Sequence, residues 1–134
     1  PAISISHSQD YAAAVAAGAT SCGIDIQMVT ARTERVRQRF ATEAELQILR
    51  VNTSHLAGAE RLTLLWSAKE AVKKSFFPEQ PGFLQHLVLQ SLAAAKDWYR
   101  FSFGCPGRQT AVAAEAVLLE GYALAFTIQK DSHA

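Results

Sequence analysis

The stretch Cys22-Gly23-Ile24-Asp25-Ile26-Gln27-Met28-Val29 alternates apolar and polar side chains, the two-residue period of a β-strand. Ile24, Ile26 and Met28 share one face, and Asp25 and Gln27 share the other. Upstream, Ala2-Ile3-Ser4-Ile5-Ser6 alternates in the same way and is expected to form a short strand. After the turn-like Ser8-Gln9-Asp10, Tyr11–Ala17 reads as a strand of small residues, although an alanine run also fits a helical turn. Gly18 punctuates it. Downstream the period changes. Thr42-x-x-Glu45 is a capping-box pattern leading into Leu46, Ile48 and Leu49. From about Glu60, apolar residues Leu62, Leu65, Trp66, Val72 and Phe76 recur at helical spacing until Pro78 stops them. After Pro81-Gly82, Phe83, Leu84, Leu87, Val88 and Leu92 also recur at helical spacing, which predicts a further helix. Residues 98–103 alternate as a strand, and Gly104-Cys105-Pro106-Gly107 is a turn. Two closing strands, 111–119 and 122–129, flank Gly121 as a hairpin. Strands, then helices, then strands predict an α+β fold: an antiparallel sheet packed against helices, rather than repeated βαβ units.

At 134 residues the chain is expected to form a single domain over 1–134. That length buries enough surface for a core without staples. Its two cysteines, Cys22 and Cys105, make neither a disulfide framework nor a CxxC pair. A formal net charge of +1 removes the broad basic footprint of a nucleic-acid binder. No apolar run approaches membrane-spanning length, and residues 1–8 lack the basic start and apolar block of a secretory signal. The expected setting is cytoplasmic, with neither membrane nor nucleic acid as partner. The start at Pro1, without Met, reads as a boundary inside something longer.

Two places hold ionisable residues that ask for an explanation. Asp25 interrupts an apolar strand, with Gly23 two positions earlier permitting a close backbone approach. As a plain surface feature it is an exposed strand carboxylate. Trp66-Ser67-Ala68-Lys69-Glu70-Ala71-Val72-Lys73-Lys74 is the second place. Glu70 and Lys74 lie four apart, and one reading is a surface ion pair worth a few tenths of a kcal/mol. The other reading joins Glu70 to Asp25 across a strand–helix contact to hold a hard cation. Oxygen ligands and neighbouring lysines suit Mg²⁺, which keeps waters and binds through one or two carboxylates plus substrate phosphates. His7, among hydroxyls at a strand end, is either a hydrogen-bonded turn histidine or a phosphate contact. His55, His86 and His133 show no zinc-ligand spacing. Arg32, Arg35, Arg37 and Arg39, with Arg50 further on, form a local basic cluster able to steer an acidic protein.

Taken together, Gly23-Ile24-Asp25 and Trp66-x-x-Lys69-Glu70-Ala71-x-x-Lys74 resemble the two signature motifs of the 4'-phosphopantetheinyl transferase superfamily. Ser4-Ile5-Ser6-His7-Ser8 resembles a third, found in the long (Sfp-like) branch just before the Gly-Ile-Asp strand. The resemblance implies Mg²⁺-dependent transfer of 4'-phosphopantetheine from coenzyme A to a serine of an acyl or peptidyl carrier protein, releasing 3',5'-ADP. It further implies Asp25 and Glu70 as metal ligands, Glu70 as the base and Lys74 at the pyrophosphate. Lys69 would support coenzyme A binding, and His7 would contact its ribose phosphate. Where many members carry Glu two residues after the strand Asp, this chain has Gln27, on the Asp25 face, whose amide oxygen would ligate the ion or hold a metal-bound water.

The long branch folds two similar halves around one cleft, and the short branch forms trimers. With 22 residues ahead of Gly23 and the histidine motif among them, the chain resembles the second half of a long-branch enzyme. A missing first half or a second copy would then complete the cleft. Two alternatives keep the same residues: a non-catalytic domain that binds coenzyme A or a carrier protein, and a different Mg²⁺-dependent phosphoryl-transfer enzyme.

Overall fold

A computed structural model describes residues 2–18, 21–80 and 82–129. Pro1, Pro81 and His133 lie outside them. The chain runs β1 (Ala2–Ser8), β2 (Tyr11–Ala17), β3 (Ser21–Met28), α1 (Arg32–Arg35), α2 (Glu43–Asn52), α3 (Gly58–Phe76), β4 (Val88–Ala95), β5 (Trp98–Gly104), β6 (Val112–Leu119) and β7 (Tyr122–Gln129). Five strands form one antiparallel sheet in the order β3-β7-β6-β5-β4, and β1 and β2 pair as a separate hairpin. The expected α+β architecture is therefore the observed one.

Helix α3 is the centre of the molecule. It crosses β3, β7 and β6 and buries Leu64, Leu65, Ala68, Ala71 and Val72 against Ala114, Ala116, Ala123 and Ala125. Small residues on both sides let the helix sit close to the sheet. The approach is tightest at Gly23, where an added Cβ would stand only 1.9 Å from the Ala71 carbonyl oxygen. Helix α2 begins with the predicted capping box: Thr42 Oγ1 accepts from Glu45 N at 3.2 Å, and Glu45 Oε1 accepts from Thr42 N at 2.9 Å. The α3 start lies at Gly58, two residues ahead of the predicted Glu60. There Glu60 reaches back to the Ala57 amide, satisfying one of the donors that every helix start leaves open. The closing hairpin turns through Glu120 and Gly121, both at positive φ, the left-handed pair that a two-residue hairpin turn requires.

The helix predicted across Phe83 to Leu92 is corrected. Phe83–His86 makes one 3-10 turn, and Val88–Ala95 is strand β4. The misleading spacing has a geometric origin. Leu89 and Leu92 both face the core although they are three residues apart, because the β4–β5 register slips between Leu89 and Ser91. A bulge of this kind places an extra residue on one strand. It thereby turns a two-residue period into a three-residue step that imitates a helix.

Strand β3 is an edge of the large sheet, and its outer amides are taken up in an unusual way. Ser4, Ser6 and Ser8 of β1 accept through their hydroxyls from the amides of Ile24, Ile26 and Met28, at 3.1, 3.1 and 3.2 Å. A comb of side chains replaces the backbone ladder. It blunts an exposed edge and locks the hairpin to the strand that carries Asp25.

Candidate active site

Strand alternation turns Ile24 and Ile26 to one side of β3 and Asp25 to the side facing α3. Asp25 is 3% exposed. On α3, Ser67, Glu70 and Lys74 follow one another at spacings of three and four and so share a face. The close helix–strand approach at Gly23 brings that face to Asp25.

Lys74 Nζ donates to Asp25 Oδ1 at 3.2 Å and to the Ile24 carbonyl at 2.9 Å. Gln27 Nε2 donates to Asp25 Oδ2 at 3.0 Å. Ser6 Oγ donates weakly to Asp25 Oδ1 at 3.5 Å, from the same hydroxyl that accepts from Ile26 N. The hydroxyl of Ser67 bears on the Asp25 carboxylate and favours its charged form, yet closes no hydrogen bond among the described residues.

Burial pushes the Asp25 carboxyl above its ordinary range, against the opposing pull of Lys74, Gln27 and Ser67. Glu70 is also raised, first by burial and then by the Asp25 charge, with Lys73 and Lys74 opposing. The two carboxylates therefore destabilise each other's charge. A divalent cation relieves that kind of strain. The donor set fits a hard ion that takes oxygen ligands: two carboxylates, with a buried hydroxyl of unspent hydrogen-bonding capacity beside them. Among the described residues no group of three or more His, Cys, Asp or Glu side chains converges, so such an ion would depend on water and substrate oxygens for its remaining ligands. The sequence-predicted ligand Gln27 reaches the same place, but its amide nitrogen is spent on Asp25.

Two predicted residues lie elsewhere. Lys69 is fully buried, with Nζ donating to the Phe40 carbonyl and paired with Glu45 Oε2 at 2.8 Å. Its ammonium faces the α2 side of the helix and is closed to solvent. The exposed His7 projects from the other face of β1, opposite Ser6 and Ser8. Ser6 and Ser67 are the neighbours of Asp25 that the sequence reading passed over. The signal for Ser67 was present, since it lies one turn before Glu70 and two before Lys74.

Beside Gln27 a cleft of about 250 Å³ opens, lined by Ser8, Gln27, Met28, Arg32 and Trp66 among others. Trp66 is held there edge-on against Phe40, ring centroids 4.8 Å apart. Gln27, bonded to Asp25, connects the carboxylate to this cleft; Asp25, Glu70 and Lys74 themselves do not line it. The pattern of the 4'-phosphopantetheinyl transferase superfamily matches residues 21–127. The chain belongs to that superfamily, a family of transferases that move the phosphopantetheinyl group. Among curated proteins none matches it. No helix of the described residues is long and apolar enough to cross a membrane.

Proposed function

We propose that the chain transfers 4'-phosphopantetheine from coenzyme A to a serine hydroxyl of an acyl or peptidyl carrier protein, in the presence of Mg²⁺ and with release of 3',5'-ADP. The observation that carries the reading is the Lys74–Asp25 ion pair across the β3–α3 contact, with Glu70 one turn before Lys74 on the same helix face. Asp25 and Glu70 would hold the ion. When bound, it supplies positive charge to the pyrophosphate oxygens on which negative charge accumulates.

The chain's own residues supply the rest. In the transfer, the serine oxygen forms a bond to the phosphorus that bears pantetheine, and the bond from that phosphorus to the pyrophosphate bridging oxygen breaks. Glu70, whose carboxyl burial pushes above its ordinary range, takes the serine proton directly or through a water, since a raised pKa makes a carboxylate the stronger base. Lys74 stabilises the leaving phosphate. A mobile ammonium suits that role, since its charge counts most where charge develops. His7 would meet the ribose phosphate at the outer side of the hairpin. The cleft at Gln27 and Arg32, with the neighbouring arginines, suits an acidic carrier. The β1–β2 hairpin lies ahead of the matched segment and carries the Ser-His-Ser motif, which supports the long-branch reading. A further half or a second copy would complete the coenzyme A cleft.

The test is incubation with coenzyme A, Mg²⁺ and an apo-carrier protein, reading the mass gained by the carrier. D25A and E70A should abolish the gain. Equal transfer by both variants refutes the site. Coenzyme A binding by the wild type without transfer would instead favour a binding or assembly domain.

A further inference from the structure

Ser67 is fully buried, and its hydroxyl makes no hydrogen bond among the described residues. A buried polar group left unmatched costs about 1–3 kcal/mol, so this hydroxyl is an expense that packing alone does not explain. An alanine would fill nearly the same space beside the buried Ala68 and Ala71. The hydroxyl lies on the α3 face that carries Glu70 and the Lys74 bonded to Asp25, near enough to favour the charged form of Asp25.

The carboxylate oxygens already have partners: Oδ1 accepts from Lys74 and Ser6, and Oδ2 from Gln27. One lone pair stays open on Oδ2, and in this orientation of the carboxylate the Ser67 hydroxyl does not reach it. A rotation of the Asp25 carboxylate that lengthens its bond to Lys74 exposes an acceptor to that hydroxyl. Turning Asp25 from its lysine toward a cation is such a rotation.

We infer that Ser67 is a positioning residue for Asp25, holding its hydroxyl proton in reserve for the carboxylate orientation that binds the ion. The inference rests on the reading of Asp25 and Glu70 as a cation site. Ser67 touches neither substrate nor reacting atoms in this role. It sets the angle at which Asp25 presents its oxygen, as hydrogen-bonded neighbours of ligating carboxylates do elsewhere.

The experiment is Mn²⁺ binding to the full chain, followed by the loss of the free-ion electron paramagnetic resonance signal, with Mg²⁺ as competitor. Wild type, S67A and D25N are compared, and each is melted without metal. S67A is expected to bind Mn²⁺ roughly tenfold more weakly while melting at the same or a higher temperature without metal. That combination separates positioning from packing. D25N is expected not to bind. Wild-type affinity in S67A beside a non-binding D25N overturns the role of Ser67 and leaves the cation site standing. Wild-type affinity in D25N overturns the cation site and this inference with it.

Discussion

Lys69 Nζ lies 2.8 Å from Glu45 Oε2 with both side chains closed to solvent. Glu45 also accepts from Thr42 N at its own helix start and from Leu89 N on β4, the latter at 2.7 Å. One carboxylate thus ties α2, α3 and β4 together. Lys69 and Glu70 are adjacent and diverge, one locked toward α2 and the other on the helix face from which Lys74 reaches Asp25. Burial lowers the Lys69 pKa, and Glu45 pulls it back up.

Removing one member of such a pair strands the other without solvent. K69A is expected to cost about 3–5 kcal/mol, and E45A at least as much, since two backbone amides lose their acceptor as well. Denaturant titration of each variant and of the double variant measures both the cost and the coupling. A K69A chain as stable as wild type would show that the buried pair is not formed in solution.

Gly23→Ala forces a Cβ to within 1.9 Å of the Ala71 carbonyl oxygen. Backbone lies on both sides, so relief requires α3 to move off β3. The expected cost is about 1–3 kcal/mol, with a larger proportional loss of transfer activity, because the same shift separates Glu70 and Lys74 from Asp25. Melting temperature and turnover are to be compared with those of a core truncation of equal stability cost, such as V72A. Equal activity in the two at matched stability would remove the geometric role of Gly23.

The raised carboxyls fix the sign of one pH effect. Glu70 holds its proton more tightly in the folded chain than in the unfolded one. Its contribution to stability is therefore favourable at low pH and is lost as pH rises from the ordinary carboxylate range through the raised pKa. E70Q removes this dependence. The stability of metal-free E70Q relative to wild type should grow as pH rises above about 4, and Mg²⁺ should narrow the gap by favouring the charged wild-type form. Thermal melts over that rise measure it, and a difference that stays flat with pH contradicts the shift.

The residues that proved readable from sequence are those whose neighbours are set by local period. Asp25 and Gln27 share a strand face, and Glu70 and Lys74 share a helix face. Two short periodic elements were enough to bring them together once Gly23 allowed close contact. The surroundings of Lys69 were less legible. Its position on α3 was right, but its partner is a capping-box glutamate 24 positions earlier in the chain, and nothing in a helical period announces that. β4 failed because a bulge shifted its inward set by one residue. The serines of β1 were legible as a strand, not as a comb, since their acceptor role depends on β3 lying alongside in parallel register.

Gln27 supplies the sharpest test of how charge sets metal affinity here. Its Nε2 donates to Asp25 Oδ2 at 3.0 Å, so in the metal-free chain it lowers the cost of a buried charge. A glutamate in its place would offer an oxygen where Asp25 now receives a hydrogen. Without metal, Q27E sets a third carboxylate against two that already oppose each other, and the melting temperature should fall. With metal, the same substitution adds a charged oxygen to the donor set, and affinity for hard cations rises with ligand charge. Mg²⁺ is therefore expected to bind Q27E about tenfold more tightly, roughly 1.4 kcal/mol, and to restore more melting temperature than it does in the wild type. Isothermal titration with Mg²⁺ beside melts with and without the ion measures both halves. A Q27E chain that is destabilised yet binds Mg²⁺ no more tightly than wild type would mean that position 27 acts on Asp25 alone and faces no cation.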